Sequence, residues 1–437
     1  MKRRDFFRNG MYSSFGLAVA PAVLVGCNSN ATNSVEGSSK TAKNIIFMVS
    51  DGMSAGTLSM ADALSQRKNG RASHWLEGYR EDRFTRAIME TASANSLVTD
   101  SAAAGSAWGG GKRVNNGALN VGPNGEQNKT IFQKFKEAGK SVGCVTTVQI
   151  THATPASFCV NIDKRGKMNE IADQYLELAF DVYMGGGLEQ FKAETREDKK
   201  DLLEAFRQKN YHVFTDREAL KSAPDDEKPI LGVFHEGGLP FTLDRENDSE
   251  LLTKVPTLAE MTAEALRKLS KNENGFALQI EGGKVDWAAH ANDTGALLYD
   301  QLAFDDALGV ALEFAESNGE TLVIFTSDHG NSNPGLLSSG KVNEMFDQVH
   351  HFKHTNEWVL AGLTPTSSVA QIKERIEAAT GIGIKDEDAD SLIAAFRGTY
   401  KTLYQKMNSP INALGHIMTN YTSVGWAGNS HTSDYVE

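Results

Sequence analysis

The chain contains four short apolar segments, and each of them stops abruptly at an acidic or imidazole side chain. "NIIFMVSDG" ends at Asp51, "SVGCVTTVQITH" reaches His152, "GFALQIEGG" ends at Glu281, and "TLVIFTSDHG" ends at Asp328 and His329. Continuously apolar strands, unlike strands of alternating polarity, are typical of a parallel sheet that helices cover on both faces. The chain must therefore also supply those helices.

Helical periodicity lies between the apolar segments, in "TIFQKFKEAGK", "DLLEAFRQKN" and "TLAEMTAEALRKLS". The alternation predicts an α/β fold with a doubly wound, mostly parallel sheet flanked by helices, over residues 44–339. Ligands of such folds bind beyond the carboxyl ends of the strands. The acids and histidines named above fall at those ends.

Residues 340–424 have a different pattern. "SSVAQIKERIEAATG" and "DADSLIAAFRGTYKTLYQKM" are amphipathic at helical spacing, with no strand pattern between them. We therefore expect a helical insertion that caps or flanks the core, after which residues 425–437 return to the core.

The first 27 residues have the pattern of a targeting signal. Arg3 and Arg4 precede "FGLAVAPAVLVG", which is too short to span a bilayer, and the pair resembles a twin-arginine export signal. "LVGC" resembles a bacterial lipobox with Cys27 as the acylated residue; an ordinary Sec signal with a chance cysteine is the alternative. Residues 28–43 are polar and suit a flexible linker. We expect an exported protein of the periplasm or cell envelope, with a lipid anchor on the membrane if Cys27 is acylated.

The overall charge disfavours one class of partner. Lys and Arg number 44 against 56 Asp and Glu, a net charge of -12, which argues against a nucleic-acid surface. An acidic enzyme that handles anions needs local positive charge from metal ions or isolated arginines. For Cys144 and Cys159, export allows a disulfide, but Cys144 lies in the apolar run "VGCVTT" and could equally be a small buried hydrophobe, so the sequence leaves the choice open.

Residue types that bind metal ions accumulate at the strand ends. They are Asp51, Glu281, Asp286, His290, Asp328, His329 and His431. Carboxylates mixed with imidazoles suit zinc with magnesium close by. Asp286 and His290 stand four residues apart, so one helical turn directs both to the same side. Each residue alone has an ordinary surface explanation, but their shared position predicts a metal site.

Six motifs identify a family that the chain resembles. "VSDGMS", "VTDSAAAGSAWGGGKRVNNGAL", "HATPASF", "IEGGKVDWAAHAND", "TSDHG" and "GNSHT" occur in the order and approximate spacing seen in alkaline phosphatases. The similarity covers residues 44 to about 335 and resumes at 429. It implies a phosphomonoesterase that acts on small phosphate monoesters, and it is compatible with a homodimer. The alternatives are a phosphodiesterase or sulfatase of the same superfamily, or a catalytically weak phosphate-binding envelope lipoprotein.

The resemblance also implies roles for matching residues. Ser101 is expected to be the nucleophile that becomes phosphoserine, and Arg165 to grip the phosphate. The resemblance implies two zinc ions (Zn2+) and one magnesium ion (Mg2+). The first zinc would be held by Asp286, His290 and His431, the second by Asp51, Asp328 and His329, and the magnesium by Asp51, Thr154 and Glu281.

Two positions near the third metal depart from the pattern of many members. His152 stands where many have Asp, and Trp287 where many have Lys. We expect the imidazole beside this site to weaken its preference for magnesium over zinc or cobalt, because nitrogen is a softer donor. The alternative is that both residues only pack around the site.

A run of small residues follows Ser101. "SAAAGSAWGGG" allows a helix to begin close behind the serine, so that its N-terminal amides face a phosphate. "GSAWGGGKR" is not a P-loop, because five residues rather than four separate Gly105 from Gly111 and Arg113 replaces the Ser or Thr.

Two further features remain outside the motifs. We interpret His350, His351 and His354 as a polar stretch and not as a further metal site. Only "TSDYVE" follows His431, whereas members of the family continue further, so the resemblance predicts a shortened chain. With Tyr435 and Val436 too few to pair securely, we expect weak binding of the first zinc.

Overall fold

The computed structural model describes residues 41–437. The predicted export signal, Cys27 and most of the predicted linker 28–43 lie outside the described residues. None of the helices in residues 41–437 combines the length and the apolar composition that a bilayer span requires.

Seven strands form the central sheet, and every neighbouring pair is parallel. The strands are β1 Asn44–Ser50, β2 Ser141–Gln149, β3 Val182–Gly186, β4 His212–Phe214, β5 Ile230–Val233, β6 Phe276–Gly282 and β7 Thr321–Thr326. Their spatial order is β4-β5-β3-β2-β6-β1-β7. The predicted α/β fold with a doubly wound parallel sheet is thereby confirmed.

Helices connect the strands and cover both faces of the sheet. They are α1 Ala55–Asn69, α2 His74–Arg80, α3 Ser101–Gly109, α4 Ile131–Glu137, α5 Ala153–Cys159, α6 Met168–Leu178, α7 Leu202–Gln208, α8 Arg217–Lys221, α9 Thr242–Glu246, α10 Ser249–Lys254, α11 Leu258–Leu269, α12 Lys284–His290 and α13 Thr294–Asn318. A 3₁₀ turn occupies Leu188–Gln190.

The core is divided by the sheet into two apolar clusters. Ile46 and Met48 of β1 face the cluster that contains residues of α11 and α13. Cys144 of β2 faces the opposite cluster, together with residues of α4, α5 and α6, and Cys159 lies in the same cluster. Both cysteines are buried free thiols, so the structure contains no bridge between them.

The four strands that precede the acids and histidines are neighbours, in the order β2-β6-β1-β7. Glu281 lies opposite Thr146 on one side and opposite Val49 on the other, so the strand ends are level. One expectation differs: β7 is an edge strand and is not buried on both faces. Leu322 is 46% exposed and Ile324 38% exposed, because no element of residues 41–437 covers that side of them.

Residues beyond the sheet form a helical region. Its helices are α14 Val342–Asp347, α15 Asn356–Ala361, α16 Val369–Thr380, α17 Asp386–Phe396 and α18 Pro410–Thr422, with 3₁₀ turns at Gln348–His351 and Gln405–Asn408. An antiparallel ribbon joins β8 Gly335–Leu336 to β9 Val424–Gly425 at its root. The limits 340–424 for a separate domain stay a prediction.

The helical region has an apolar cluster of its own, which includes residues of α1 and α13. It is therefore packed on the core helices. The second amphipathic segment ends its helix at Phe396 and does not continue to Met407. Gly398 adopts a left-handed conformation with φ of 71°, which an α-helix does not allow.

Candidate active site

Three groups of side chains that could each hold a metal ion, the metal-binding groups, lie near the carboxyl ends of the neighbouring strands. Within each group the ligand atoms lie within 4.8 Å of one another. The groups are Asp286, His290 and His431; Asp51, Asp328 and His329; and Asp51, His152 and Glu281. The first two match the predicted zinc ligands. The third contains two predicted magnesium ligands, and Thr154 Oγ1 lies 3.5 Å from Asp51 Oδ2.

A tight turn after β1 brings the first two groups together. Gly52 follows Asp51 with φ of 67°, and a Cβ at this position would lie 2.5 Å from Asp286 Oδ1. The Gly52 N–H donates to Asp328 Oδ1 at 2.9 Å. Only glycine satisfies both the left-handed backbone and this close approach.

The three predicted zinc-binding histidines share one orientation. Each places Nδ1 beside a backbone carbonyl oxygen: His290 beside Asn429 at 2.8 Å, His329 beside Gly330 at 3.2 Å, and His431 beside Thr99 at 3.0 Å. A carbonyl only accepts hydrogen bonds, so Nδ1 carries a proton in each ring, and a neutral ring keeps its lone pair on Nε2. This is the tautomer that a metal-binding imidazole requires. For His290, burial opposes protonation, but the Asp286 carboxylate raises the pKa to about 8, so that in the metal-free protein Nε2 is also protonated at neutral pH.

The Nε2 atoms point towards carboxylates. His290 Nε2 lies 3.4 Å from Asp286 Oδ2, and His329 Nε2 lies 3.2 Å from Asp328 Oδ2. A ring nitrogen and a carboxylate oxygen at these distances repel each other unless a proton or a metal ion lies between them. In the second and third groups, Asp51 Oδ1, Asp328 Oδ2 and Glu281 Oε1 are buried and have no hydrogen-bond partner among residues 41–437. The donor set therefore fits bound metal ions.

The electrostatics of the carboxylates point the same way. Burial, followed by the repulsion of Asp328 and Asp286, raises the pKa of Asp51 well above its ordinary value. Burial also raises the pKa of Glu281 to about 7 and that of Asp328 to about 6. Several buried carboxylates in one place need compensating positive charge.

Ser101 begins helix α3 directly beside the second group. Its side chain is 2% exposed, and its hydroxyl lies 3.3 Å from His329 Nε2, to which it can donate. Asp100 caps the helix by accepting from the Ala103 N–H at 3.0 Å. The predicted nucleophile thus lies at a helix N-terminus within the metal-binding cluster.

The small residues of α3 have a packing reason. A Cβ on Gly105 would overlap Ser157 Oγ and lie 2.9 Å from Ser157 Cβ, and a Cβ on Gly109 would overlap the Ser157 backbone oxygen. These glycines let α3 lie almost in backbone contact with α5, the helix that carries Thr154. The small residues of α3 thus allow close packing against α5, and this packing sets the position of Ser101.

Arg165 reaches the site from the segment after α5. Its Nη1 donates to Asp100 Oδ2 at 3.2 Å, and its Nη2 lies 2.9 Å from His152 Nε2. Asp100 therefore links the helix of the nucleophile to the guanidinium. Burial, together with the charge of Arg165, lowers the pKa of His152 to about 3, so the imidazole is neutral.

Of the two positions that depart from the family pattern, His152 lies in the third metal-binding group and Trp287 packs beside it. The Nδ1 atom of His152 is buried without a partner among the described residues. The ring of Trp287 packs edge-on against His152, with the two ring centroids 6.2 Å apart. Lys284 Nζ lies 4.4 Å from the centre of the Trp287 ring. His152 is thus a neighbour of the third site, and it becomes a candidate ligand only when Arg165 releases Nε2, because the contact with Arg165 leaves the proton of the neutral ring on Nδ1.

A residue of the helical region supports the first group and was missed by sequence analysis. Asn412 of α18 donates to the His290 backbone oxygen at 2.8 Å and accepts from Asn429 Nδ2 at 3.0 Å. The Asn429 backbone oxygen in turn accepts from His290 Nδ1. No sequence pattern marks Asn412, because an asparagine that bonds to backbone atoms has no characteristic neighbours.

The remaining predicted features are also placed. None of His350, His351 and His354 belongs to the three metal-binding groups found in residues 41–437. After His431, which pairs with Asn331, the Val436 backbone exchanges hydrogen bonds with Met89 at 2.8 and 3.1 Å. The segment that contains His431 is therefore held by backbone hydrogen bonds, whereas the sequence predicted a loosely held segment. Its zinc affinity stays a prediction.

Comparison with known proteins agrees with this geometry. A family model of alkaline phosphatase matches residues 42–435. The chain belongs to the alkaline phosphatase family. Alkaline phosphatase 4 of Bacillus subtilis (strain 168) is 30% identical over 451 residues, which cover 100% of this chain and 93% of that protein. Like its relatives, this alkaline phosphatase is a phosphomonoester hydrolase of a metal-dependent family.

Solved structures give the same assignment. The Thermus thermophilus alkaline phosphatase superposes with a TM-score of 0.85 at 34% identity, covering 91% of this chain and 85% of that one. A histidine-to-aspartate mutant of the TAB5 alkaline phosphatase, solved with Mg bound in the M3 site, has a TM-score of 0.59 at 30% identity and covers 69% of this chain and 81% of that one.

Proposed function

We propose that this alkaline phosphatase hydrolyses phosphate monoesters through a phosphoserine on Ser101, at a site that holds two zinc ions and one magnesium ion. The observation that supports the proposal is the position of the Ser101 hydroxyl. It is buried at a helix N-terminus and lies 3.3 Å from the lone-pair nitrogen of His329. Burial lowers the pKa of His329 to about 4, so this imidazole is only a weak base for the Ser101 hydroxyl.

The metal-binding residues divide into the three groups described above. One zinc ion would be held by Asp286, His290 and His431, and the other by Asp51, Asp328 and His329. The magnesium ion would be held by Asp51, Glu281 and Thr154, with His152 beside them. When bound, such ions lower the pKa of hydroxyl groups and neutralise the charge of a phosphoryl group.

The residues of the chain bind and orient the phosphoryl group. Backbone N–H groups in the first turn of α3 are directed towards an anion at Ser101. The planar guanidinium of Arg165 is suited to hold two nonbridging oxygens at once. Asp100 fixes the guanidinium relative to the nucleophile, since it contacts Arg165 and caps α3.

The reaction has two displacements. In the first, the Ser101 hydroxyl loses its proton to solvent, Oγ forms a bond to phosphorus, and the bond to the leaving oxygen breaks; that oxygen takes up a proton, which gives phosphoserine and an alcohol. In the second, water loses a proton as its oxygen bonds to phosphorus, and the bond to Ser101 Oγ breaks; Oγ regains a proton and inorganic phosphate is released. Arg165 and the α3 amides face the same phosphoryl oxygens in both steps.

The third group of this chain differs from an all-oxygen magnesium site. His152 brings a nitrogen beside Asp51 and Glu281. In the TAB5 enzyme, a histidine-to-aspartate mutant was solved with Mg bound in the M3 site. We infer that His152 occupies the corresponding place and tunes which ion the third group accepts.

The phosphoserine is tested by trapping it. The enzyme is mixed with a ³²P-labelled monoester and quenched in acid, and the labelled peptide is mapped by mass spectrometry. The parent should carry label on Ser101, Ser101→Ala should carry none and turn over at least about 100-fold more slowly, and Ser59→Ala, on the exposed face of α1, should match the parent. Label on any other residue would contradict the assignment.

We also propose export to the periplasm or cell envelope with a lipid anchor on Cys27. Support comes from the paired arginines and the "LVGC" sequence alone. Cell fractionation tests both parts: Cys27→Ser should move activity from the membrane fraction to the soluble periplasmic fraction, and replacing Arg3 and Arg4 with lysine should retain the protein in the cytoplasm. An unchanged distribution in both variants would contradict the proposal.

A further inference from the structure

A cavity of about 270 Å³ lies apart from the metal-binding groups, and none of their residues lines it. It is enclosed by α9, by the segment that leads into α11 and by α13. Much of its wall is apolar, with contributions from Leu239, Pro240, Val255, Pro256, Leu258 and Tyr299. Because one water occupies about 30 Å³ in the liquid, the space is large enough for a small organic molecule.

Arg245 of α9 lines this cavity and is only 7% exposed. Its Nε donates to the Val255 backbone oxygen at 2.8 Å, but its Nη2 is buried without a hydrogen-bond partner among residues 41–437. Guanidinium groups stay protonated in proteins, and a buried cation without a partner is strongly unfavourable. The cavity wall therefore contains an unsatisfied positive group.

No carboxylate in the described part of the chain pairs with this guanidinium. The nearby Glu260 accepts from both Nε and Nη2 of Arg217 and is thereby engaged. Asp300 accepts from the Thr242 backbone N–H and hydroxyl, and Asp306 accepts from Arg71. Asp300 and Asp306, which line the cavity, thus have other partners.

A second cation borders the same space. Lys68 Nζ lies 4.1 Å from the centre of the Tyr299 ring and forms no salt bridge within residues 41–437. Glu246 is an exposed acid of the wall. The cavity therefore combines an apolar wall with one buried guanidinium that lacks an ion-pair partner among the described residues, and with an exposed ammonium at its rim.

We propose that this cavity binds a small organic carboxylate, whose oxygens accept from Arg245 and whose hydrocarbon part packs against Leu239, Val255 and Tyr299. A planar monoanion matches one edge of a guanidinium. A phosphate dianion fits less well, because Asp300, Asp306 and Glu246 lie on the same walls and repel a second negative charge.

The test is a calorimetric titration of the metal-loaded enzyme with acetate, propionate and butyrate in turn. Each should bind with a stoichiometry of one, and the affinity should rise about fourfold per methylene as apolar surface is buried. Saturating inorganic phosphate should leave butyrate binding unchanged, because phosphate occupies the catalytic site. Displacement by phosphate would mean that the carboxylate binds the metal ions, and would overturn the proposal.

Two variants assign the binding to the cavity. Arg245→Met keeps the length of the side chain but removes its charge, and should weaken butyrate binding by at least tenfold. Its matched control is Arg267→Met, because Arg267 pairs with Glu264 and Asp225 at the surface. Butyrate binding that persists in Arg245→Met would overturn the proposal.

A third variant covers the case in which Arg245→Met does not fold. Ala303→Phe fills the cavity from a half-buried position of α13 and leaves Arg245 in place. It should lose butyrate binding while phosphatase activity remains. Failure of the parent to bind butyrate at millimolar concentration, or unchanged binding in Ala303→Phe, would also overturn the proposal. None of these results depends on the phosphoserine, so the two proposals fail separately.

Discussion

At the scale of single residues, His152 distinguishes this site from an oxygen-only magnesium site. The imidazole lies in one group with Asp51 and Glu281, and burial keeps it neutral. Neutral nitrogen is a softer donor than carboxylate oxygen and suits zinc or cobalt better than magnesium. The third group should therefore accept more than one kind of ion.

We predict that His152→Asp makes the third group more selective for magnesium. A carboxylate adds an oxygen donor and a negative charge, so the magnesium concentration for half-maximal activation should fall about tenfold, whereas activation by cobalt should weaken. The measurement is activity of metal-stripped enzyme reloaded with zinc and titrated with each ion. His351→Asp, exposed on the helical region, is the control; identical ion profiles for His152→Asp and the parent would show that the imidazole only packs.

Most site residues were predictable because they occur in ordered motifs at strand ends, where side chains of one chemistry collect. Asn412 was not, since its contacts are with the backbone of His290 and with Asn429. Membership of His152 in the third group also needed the structure. Only coordinates show that its Nδ1 is buried without a partner among the described residues.

At the scale of elements, the contact between α3 and α5 sets the position of the nucleophile. Gly105 and Gly109 allow the two helices to approach at Ser157. We predict that Gly105→Ala displaces α3 and lowers kcat at least about tenfold, because misplacing a reacting group by an ångström is costly. Activity is measured together with thermal stability.

The double variant with Ser157→Gly provides the control. Removing the Ser157 side chain frees the space that the methyl group introduced at position 105 needs, so activity should recover in Gly105→Ala with Ser157→Gly. Alanine at position 105 gains about 1 kcal/mol of helix propensity, but glycine at position 157 of α5 loses a comparable amount, so the recovery is read from activity and not from stability. Additive losses in the double variant would show that the two positions do not interact.

The apolar pattern of a segment predicted correctly that it forms a buried strand. It did not predict the position of the strand in the sheet, which depends on contacts with other elements. β1, β2 and β6 are the buried parallel strands that their apolar runs indicated. β7 has the same kind of sequence but lies at the sheet edge, with Leu322 partly exposed, because strand order is set by tertiary contacts. The α17 helix ends early at a left-handed glycine, Gly398.

At the scale of the whole molecule, the metal-binding groups connect stability to pH. Burial raises the pKa of Glu281 to about 7 and of Asp328 to about 6, above the values of about 4 for unfolded chains. A raised carboxyl pKa means that the metal-free fold is penalised when these groups ionise. This penalty is absent below about pH 4 and fully present above about pH 7.

We predict that ionisation of Glu281 costs the metal-free fold roughly 2 kcal/mol of unfolding free energy between about pH 5.5 and pH 8. Other buried groups titrate in the same range, among them Asp300, whose pKa burial raises to about 7, and His329, whose pKa burial lowers to about 4, so the prediction is a difference between two variants. Denaturant unfolding of the metal-free parent and of metal-free Glu281→Gln measures it, and the stability of the variant should fall less with rising pH by that amount. Equal pH dependence of the two metal-free proteins would contradict the prediction.

The helical region is connected to the catalytic centre through Asn412, which is 3% exposed on α18 and donates to the His290 backbone oxygen. We predict that Asn412→Ala weakens binding of the first metal about 10–100-fold, as loss of an outer-shell partner does in other metal sites. Zinc affinity is measured by competition with a chelator, alongside the melting temperature of the metal-loaded protein. Asn420→Ala, exposed on the same helix, should change neither. If Asn412→Ala lowers the melting temperature but leaves zinc affinity at the parental value, Asn412 only joins the helical region to the core and does not position His290.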